Sequence, residues 1–225
     1  MAIAIVIISL ILIAFTSFFL ITAGTNLQPE KLIDYGKTIS IYDEEGNKLE
    51  DTSLATGQKS VKVERLQPHT INAFIASEDR DFFNHNGLNY KRMIKAAYKN
   101  ITSRSFKEGA STISQQLVKN THLSNDKTIV RKLKEIKLTK QLERKYGKDD
   151  ILEMYLNTIY FGHNCFGLQS AANFYFDKSA DELNLEQSAT LVGLLTSPNN
   201  FSPFKNPQKC LTRRNTVLKN MRDCG

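Results

Sequence analysis

The chain has 225 residues, of which 41% are hydrophobic and 24% charged, so it can bury a core, and one main domain is the default. Its net charge of +7 suits anionic lipid headgroups or phosphate-bearing substrates. The three cysteines, Cys165, Cys210 and Cys224, form no CxxC pair and no metal-ligand spacing, which excludes thiol redox and zinc-type chemistry; a Cys210–Cys224 bridge and burial as small apolar side chains are the two structural uses left.

Residues 2–23, AIAIVIISLILIAFTSFFLITA, carry no charge. As a helix they would span roughly 30 Å of hydrocarbon. A cleavable signal peptide is the rival reading, but its apolar region runs to about 7–15 residues behind a basic stretch, and here only Met1 precedes the run. The expected organisation is a transmembrane anchor over 1–24, a tether with a small β element over 25–65, and a main domain over 66–225. An export-type anchor argues against nucleic acid as the partner of the basic domain.

After the tether, TISIY (38–42) alternates at period two, DEEGN (43–47) reads as a turn and SVKVERL (60–66) alternates again. This predicts a hairpin or two-stranded ribbon. From Pro68 the period becomes helical. Ile71, Phe74 and Ile75 share a face leading into Glu78, and Tyr90, Met93, Ile94, Ala97, Tyr98 and Ile101 follow 3–4 spacing over three turns. Asp126 is placed to cap a long helix through Arg144, and Asp149 a second through about Asn157. Helices are also predicted over 184–196 and 207–221. The fold class is mainly α, with a minor β element.

Three segments carry chemistry. SEDRDFFNHNG (77–87) sets four charges against Phe82 and Phe83. Aromatic neighbours would raise a carboxyl's pKa by desolvation and Arg80 would lower it, and a carboxylate so poised is suited to general-base work. The alternative is a charged loop with aromatic anchors. His85 is placed to hold this loop by a hydrogen bond. In GASTISQQLVKN (109–120), Thr112, Gln116 and Lys119 fall on one side of a helix, and Ile113 and Leu117 on another. The glycine before Ser111 and Thr112 leaves backbone amides approachable, as at many anion sites. In RKLKE (131–135), Arg131 and Glu135 stand at i,i+4, in line with Leu138 and Leu142. A charged pair on a leucine stripe is semi-buried, and such charge is costly unless paired or used. FGHNCFG (161–167) reads as a tight connection, and the four histidines show no ligand spacing.

Together these segments resemble the peptidoglycan glycosyltransferases, the family of the transglycosylase domains of class A penicillin-binding proteins and the monofunctional transglycosylases. EDRDFFNHNG, GASTISQQLVKN, RKLKE, DDILEMYLNTIYFG (149–162) and LVGLLTSPNNFSPFKNP (191–207) follow in the family's order over about residues 60–215. Ala110 departs from a usual second glycine. The resemblance implies a lysozyme-like helical lobe, a smaller membrane-apposed lobe and a groove between them. It implies lipid II as substrate and a growing glycan strand as product. The location implied is the outer face of the cytoplasmic membrane, with cell-wall synthesis proteins as further partners. Glu78 would be the general base and Glu135 the second essential acid. Lys119, Arg131 and Lys127 would meet the donor diphosphate, Mg²⁺ or another divalent cation being carried with it. Ser111, Thr112, Gln116 and Asn120 would shape the sugar and phosphate site, and Asp79, Phe82 and His85 would support the first segment.

Competing readings are a muramidase or lytic transglycosylase, which would need an acid catalyst and no cationic site, and a scaffold that binds precursor without turnover. No KTG accompanies the SNDK and SPN matches expected by chance, so no penicillin-binding site is expected here. The sequence fits both a short monofunctional enzyme and the front of a larger one.

Overall fold

The computed structural model describes residues 2–33, 40–43, 45, 48–51, 60–102, 111–124 and 126–225. Helix α1 (Ala2–Ile21) is the apolar segment, and no part of its 4–21 window is buried. Among the described residues it is the one helix long and apolar enough to cross a membrane. Its end is docked: the Lys137 ammonium donates to the Thr22 carbonyl at 2.8 Å, and the Leu27 N–H donates to Gln141 Oε1 at 2.7 Å. The short α2 (Glu30–Ile33) follows and buries Leu32.

The hairpin exists with a different second strand. β1 (Ser40–Tyr42) pairs antiparallel with β2 (Lys48–Asp51), Ser40 opposite Asp51, with an irregularity between Ile41 and Tyr42. The predicted strand at 60–66 is instead extended chain running into a 3₁₀ turn, Val63–Arg65. Its alternation has another cause: Val61 is buried while its N–H and carbonyl are taken by the Asn157 side chain at 2.8 and 3.0 Å, so no strand partner is needed.

The remaining helices are α3 (Pro68–Glu78), α4 (Tyr90–Thr102), α5 (Ile113–His122), α6 (Ile129–Lys145), α7 (Lys148–Thr158), α8 (Leu168–Phe176), α9 (Leu185–Leu194) and α10 (Pro207–Arg222). Proline at the first helical position starts α3 and α10, where the missing N–H costs no bond. Reciprocal side-chain caps start α5 (Thr112 with Gln115) and α9 (Asn184 with Gln187). The cap of α6 is Thr128, whose hydroxyl accepts from the Arg131 N–H at 3.1 Å; Asp126, expected in that role, instead accepts from Ser124 Oγ. Helix α7 starts two residues early: Gly147, and not Asp149, is its cap residue, Lys148 is its first residue, and Asp150 accepts from the Gly147 N–H. The 161–167 segment is the expected tight connection: Tyr160 bridges to Phe166, and Gly162, His163, Asn164 and Gly167 all adopt positive φ.

Helices α3, α9 and α10 pack on one another, as do α5, α6 and α7, with α8 touching both α7 and α9. The two groups share one core. Phe74 of α3 meets Tyr155 of α7 and Phe161 edge to face, at 6.4 and 6.3 Å between centroids, and all three rings are fully buried. Each such side chain contributes about 2 kcal/mol by leaving water. Helix α4 stands apart from this packing: Ala96 is buried, while Tyr90, Ile94 and Tyr98 remain exposed.

Candidate functional site

Glu78 is the last residue of α3, so its carboxylate leaves the helix where the chain turns. Gln116 Nε2 donates to Glu78 Oε2 at 2.9 Å, and the Tyr155 hydroxyl donates to Gln116 Oε1 at 3.3 Å. Burial, and then the negative charges of Glu78 and Asp79, push the Tyr155 hydroxyl well above its usual range. It therefore stays protonated and serves as a fixed donor that orients the amide. The other Glu78 oxygen accepts no hydrogen bond among the described residues.

Asp79 is fully buried and does structural work. Its Oδ2 accepts from the Ile113 N–H at 3.0 Å and from His85 Nε2 at 2.9 Å. The first bond places a negative charge at the N-terminus of α5, where the helix dipole favours it. The Gly87 N–H donates to His85 Nδ1 at 3.1 Å, which assigns the proton to Nε2 and makes the ring a donor toward Asp79. His85 thus holds the loop as expected. Thr112 closes it from the other side by donating to the Gly87 carbonyl at 2.7 Å. Gly87 itself has φ +85°, and an added Cβ would sit 2.7 Å from Thr139 Cγ2, so the close approach to α6 requires glycine.

The aromatic pair has another role than the expected one. Phe82 is buried against Phe83 and His85 at 5.1 and 6.2 Å, with the Lys148 ammonium 4.6 Å from its ring centre. Phe82 therefore walls in the histidine that holds Asp79, while Phe83 packs on Phe82 and stays half exposed. Arg80 likewise turns away from Glu78: Nε donates to the Ala76 carbonyl and Nη2 to Asn220 Oδ1. Arg92, a residue the sequence did not mark, is the cation at this corner. Its Nη1 donates to the Glu78 carbonyl and lies 3.9 Å from Asp79 Oδ1.

Glu135 forms the second centre. Only 2% of its surface is exposed, and it continues the buried stripe of Leu138 and Leu142. Arg131 Nη1 donates to its Oε2 at 2.8 Å, Gln115 Nε2 to its Oε1 at 3.0 Å, and the Lys132 ammonium also bonds to Oε1. Lys132 reaches Ser111 Oγ at 3.4 Å, which ties the two segments together. Gln115, Lys132 and Tyr155 complete the constellation and were not singled out from sequence. Lys132 lies inside the quoted RKLKE and Gln115 beside Gln116, so adjacency was their only signal. Lys119 stands one turn beyond Gln116 on α5 with no ionic partner among the described residues, and Asn120 is exposed beside it. Lys127 is exposed before α6, outside the hydrogen-bonded cluster. Gly109 and Ala110 lie outside the described residues.

Neither carboxylate fits a protein-held metal cage. Glu135 is saturated by two cations and an amide, Glu78 is engaged by Gln116, and among the described residues no three acidic, His or Cys groups converge.

The arrangement defines a helical protein with an apolar N-terminal helix, one carboxylate open on one oxygen, and a second locked among cations. The sequence model of the transglycosylase family matches residues 45–222, and the chain belongs to that family. It is 38% identical to penicillin-binding protein 1F of Bacillus subtilis over 97% of this chain and 31% of that protein. It is 38% identical to penicillin-binding protein 1A of Aquifex aeolicus over 92% of this chain and 29% of that one. With penicillin-binding protein 1A of Clostridium tetani the identity is 41% over 91% and 27% of the two chains. The chain thus spans about a third or less of these relatives' length. A crystal structure of penicillin-binding protein 1A from Haemophilus influenzae aligns with 84% of this chain and 19% of its own, at 22% identity and a TM-score of 0.44.

Proposed function

We propose that the chain is a peptidoglycan glycosyltransferase that polymerises lipid II, with Glu78 as general base. The observation that carries this reading is the unequal state of the two carboxylates. One Glu78 oxygen is held by Gln116 and the other is available to take a proton, whereas both oxygens of Glu135 are occupied by donors. A glycosidase that protonates its leaving group needs a second carboxyl able to give up a proton, and Glu135, ion-paired twice, is poorly suited to that.

Glu78 would take the proton of the acceptor GlcNAc 4-hydroxyl as that oxygen attacks C1 of the donor MurNAc. The C1–oxygen bond to the lipid diphosphate breaks, and undecaprenyl diphosphate leaves with the bonding pair. Its charge is met by Lys119, Arg131 and Lys132, with Lys127 approaching from the surface, so no proton donor is required. A divalent cation, where one takes part, belongs to the diphosphate and not to a protein cage. Glu135 would fix the cations, and Ser111, Thr112, Gln116 and Asn120 would border the sugar and phosphate positions. Helix α1 would hold the domain at the cytoplasmic membrane on the extracytoplasmic face, where lipid-linked substrate, nascent strand and other cell-wall synthesis proteins meet it.

The test is polymerisation of purified lipid II in detergent by the full chain beside Glu78→Gln. Polymer from the parent alone supports the proposal. Equal polymer from both removes Glu78 as the base, and bound but unreacted lipid II in both favours a scaffold without turnover.

A further inference from the structure

A cleft of about 620 Å³ lies between α3, α4 and α10, and Glu78 is not among the residues that line it. Six cations line it: Arg80, Lys91, Arg92, Lys95, Lys99 and Arg213. Against them stands one carboxylate, Asp81, which already accepts from Asn89 Nδ2 at 2.9 Å. Two arginines are fixed in place, Arg80 by Ala76 and Asn220 and Arg213 by the Thr196 hydroxyl at 2.6 Å. Lys91 and Lys95 have no anionic partner among the described residues. Ser77 Oγ and Arg213 Nε, both in the lining, are buried with no hydrogen-bond partner. Orphaned donors beside a cationic cluster call for an anion rich in acceptor oxygens.

The surroundings indicate where that anion comes from. Lys91, Lys95 and Lys99 form one stripe of α4, and Tyr90, Ile94 and Tyr98, which are 58%, 71% and 69% exposed, form the adjacent one. A helix with lysines beside exposed aromatic and aliphatic side chains is built to lie at a lipid interface. We propose that the cleft binds the headgroup phosphate of an anionic phospholipid of the membrane, with Tyr90, Ile94 and Tyr98 entering the acyl boundary beside it. The inference rests on the membrane location given above and not on the reaction, so a binding measurement decides it without turnover.

The chain has no tryptophan, so Ile94→Trp supplies a single fluorophore on the exposed stripe. The full-length variant is reconstituted in phosphatidylcholine vesicles. Brominated phosphatidylglycerol or brominated phosphatidylcholine is then added at equal mole fraction, and quenching gives their relative binding. Phosphatidylglycerol is expected to be preferred about tenfold, and Lys91→Gln/Lys95→Gln to bring the ratio to about one. Both lysines are exposed, so the double variant should fold, as circular dichroism would verify. A ratio near one in the parent, a ratio untouched by the double substitution, or no quenching by either lipid would each overturn the proposal. So would loss of the preference on adding inorganic phosphate or a short-chain lipid diphosphate, which would assign the cleft to a soluble anion or to substrate.

Discussion

Glu135→Gln separates positioning from mere stability. The substitution keeps the side chain's shape and removes its charge, and one of its two oxygens becomes an NH₂ group that faces a donor. Three bonds converge on the native carboxylate, from Arg131 at 2.8 Å, Gln115 at 3.0 Å and Lys132. The Arg131 side chain is 16% exposed, so its pair is largely desolvated and its loss costs about 1.5–2 kcal/mol. That of Lys132 is 37% exposed and regains water, which limits its share to less than about 1 kcal/mol. Urea unfolding of the full chain in mild detergent, followed by far-ultraviolet circular dichroism, should therefore show a loss of about 2–3 kcal/mol. Lipid II polymerisation should fall by about a hundredfold or more at saturating substrate, because the cations are no longer aimed. If stability falls as expected and the rate does not, Glu135 is only a structural residue. If neither changes, the ion-pair geometry itself is wrong.

Gly87→Ala should destabilise by about 2 kcal/mol or more, since it combines φ +85° with Cβ contacts of 2.7 Å to Thr139 and 2.8 Å to Glu143; an unchanged thermal midpoint would contradict the close approach. His122 supplies the pH dependence. Its Nε2 accepts from the Gln28 N–H at 3.0 Å, and burial is the main cause that lowers its pKa below the ordinary histidine value of 6.5. With the folded pKa depressed, the unfolded chain binds the proton first. The stabilising contact is thus complete above about pH 6.5 and is lost as pH falls through the folded value. Between pH 7.5 and 5 the thermal midpoint should fall more in the parent than in His122→Gln, and parallel curves would refute the linkage.

The long helices of the core were legible because apolar residues recur at helical spacing and each of them buries one face, while α1 was legible from its uncharged length alone. Glu135 was readable as semi-buried from the same spacing, since it shares a stripe with Leu138 and Leu142, and the structure buries it further. Features that turn on direction and not on spacing were illegible. Asp126 and Thr128 are both good capping residues, and only the backbone geometry before Ile129 selects the threonine. Val61 and Val63 alternate like a strand, but the amide of Asn157, distant in sequence, takes the backbone bonds. Arg80 is two residues from Glu78 in sequence and points toward α10, while Arg92, fourteen residues on, reaches the Glu78 carbonyl. No local period encodes that exchange, because it depends on how the chain turns after α3.

The adjacent glutamines show how the two centres are kept in register. Gln115 reaches Glu135 and Gln116 reaches Glu78, and the two point apart because neighbours on a helix are about 100° apart. Helix α5 is therefore the spacer between base and cation cluster, and its rotation sets both contacts at once. That rotation is fixed at its first turn, where Thr112 and Gln115 cap each other, Thr112 is tied to Gly87, and Asp79 accepts from the Ile113 N–H. Gln115 serves both as capping residue and as ligand of Glu135, so freeing the cap also releases the second carboxylate. The cap of α5 and the geometry around Glu78 and Glu135 are one structure, which is why Asp79, remote from any acidic role of its own, sits immediately beside Glu78.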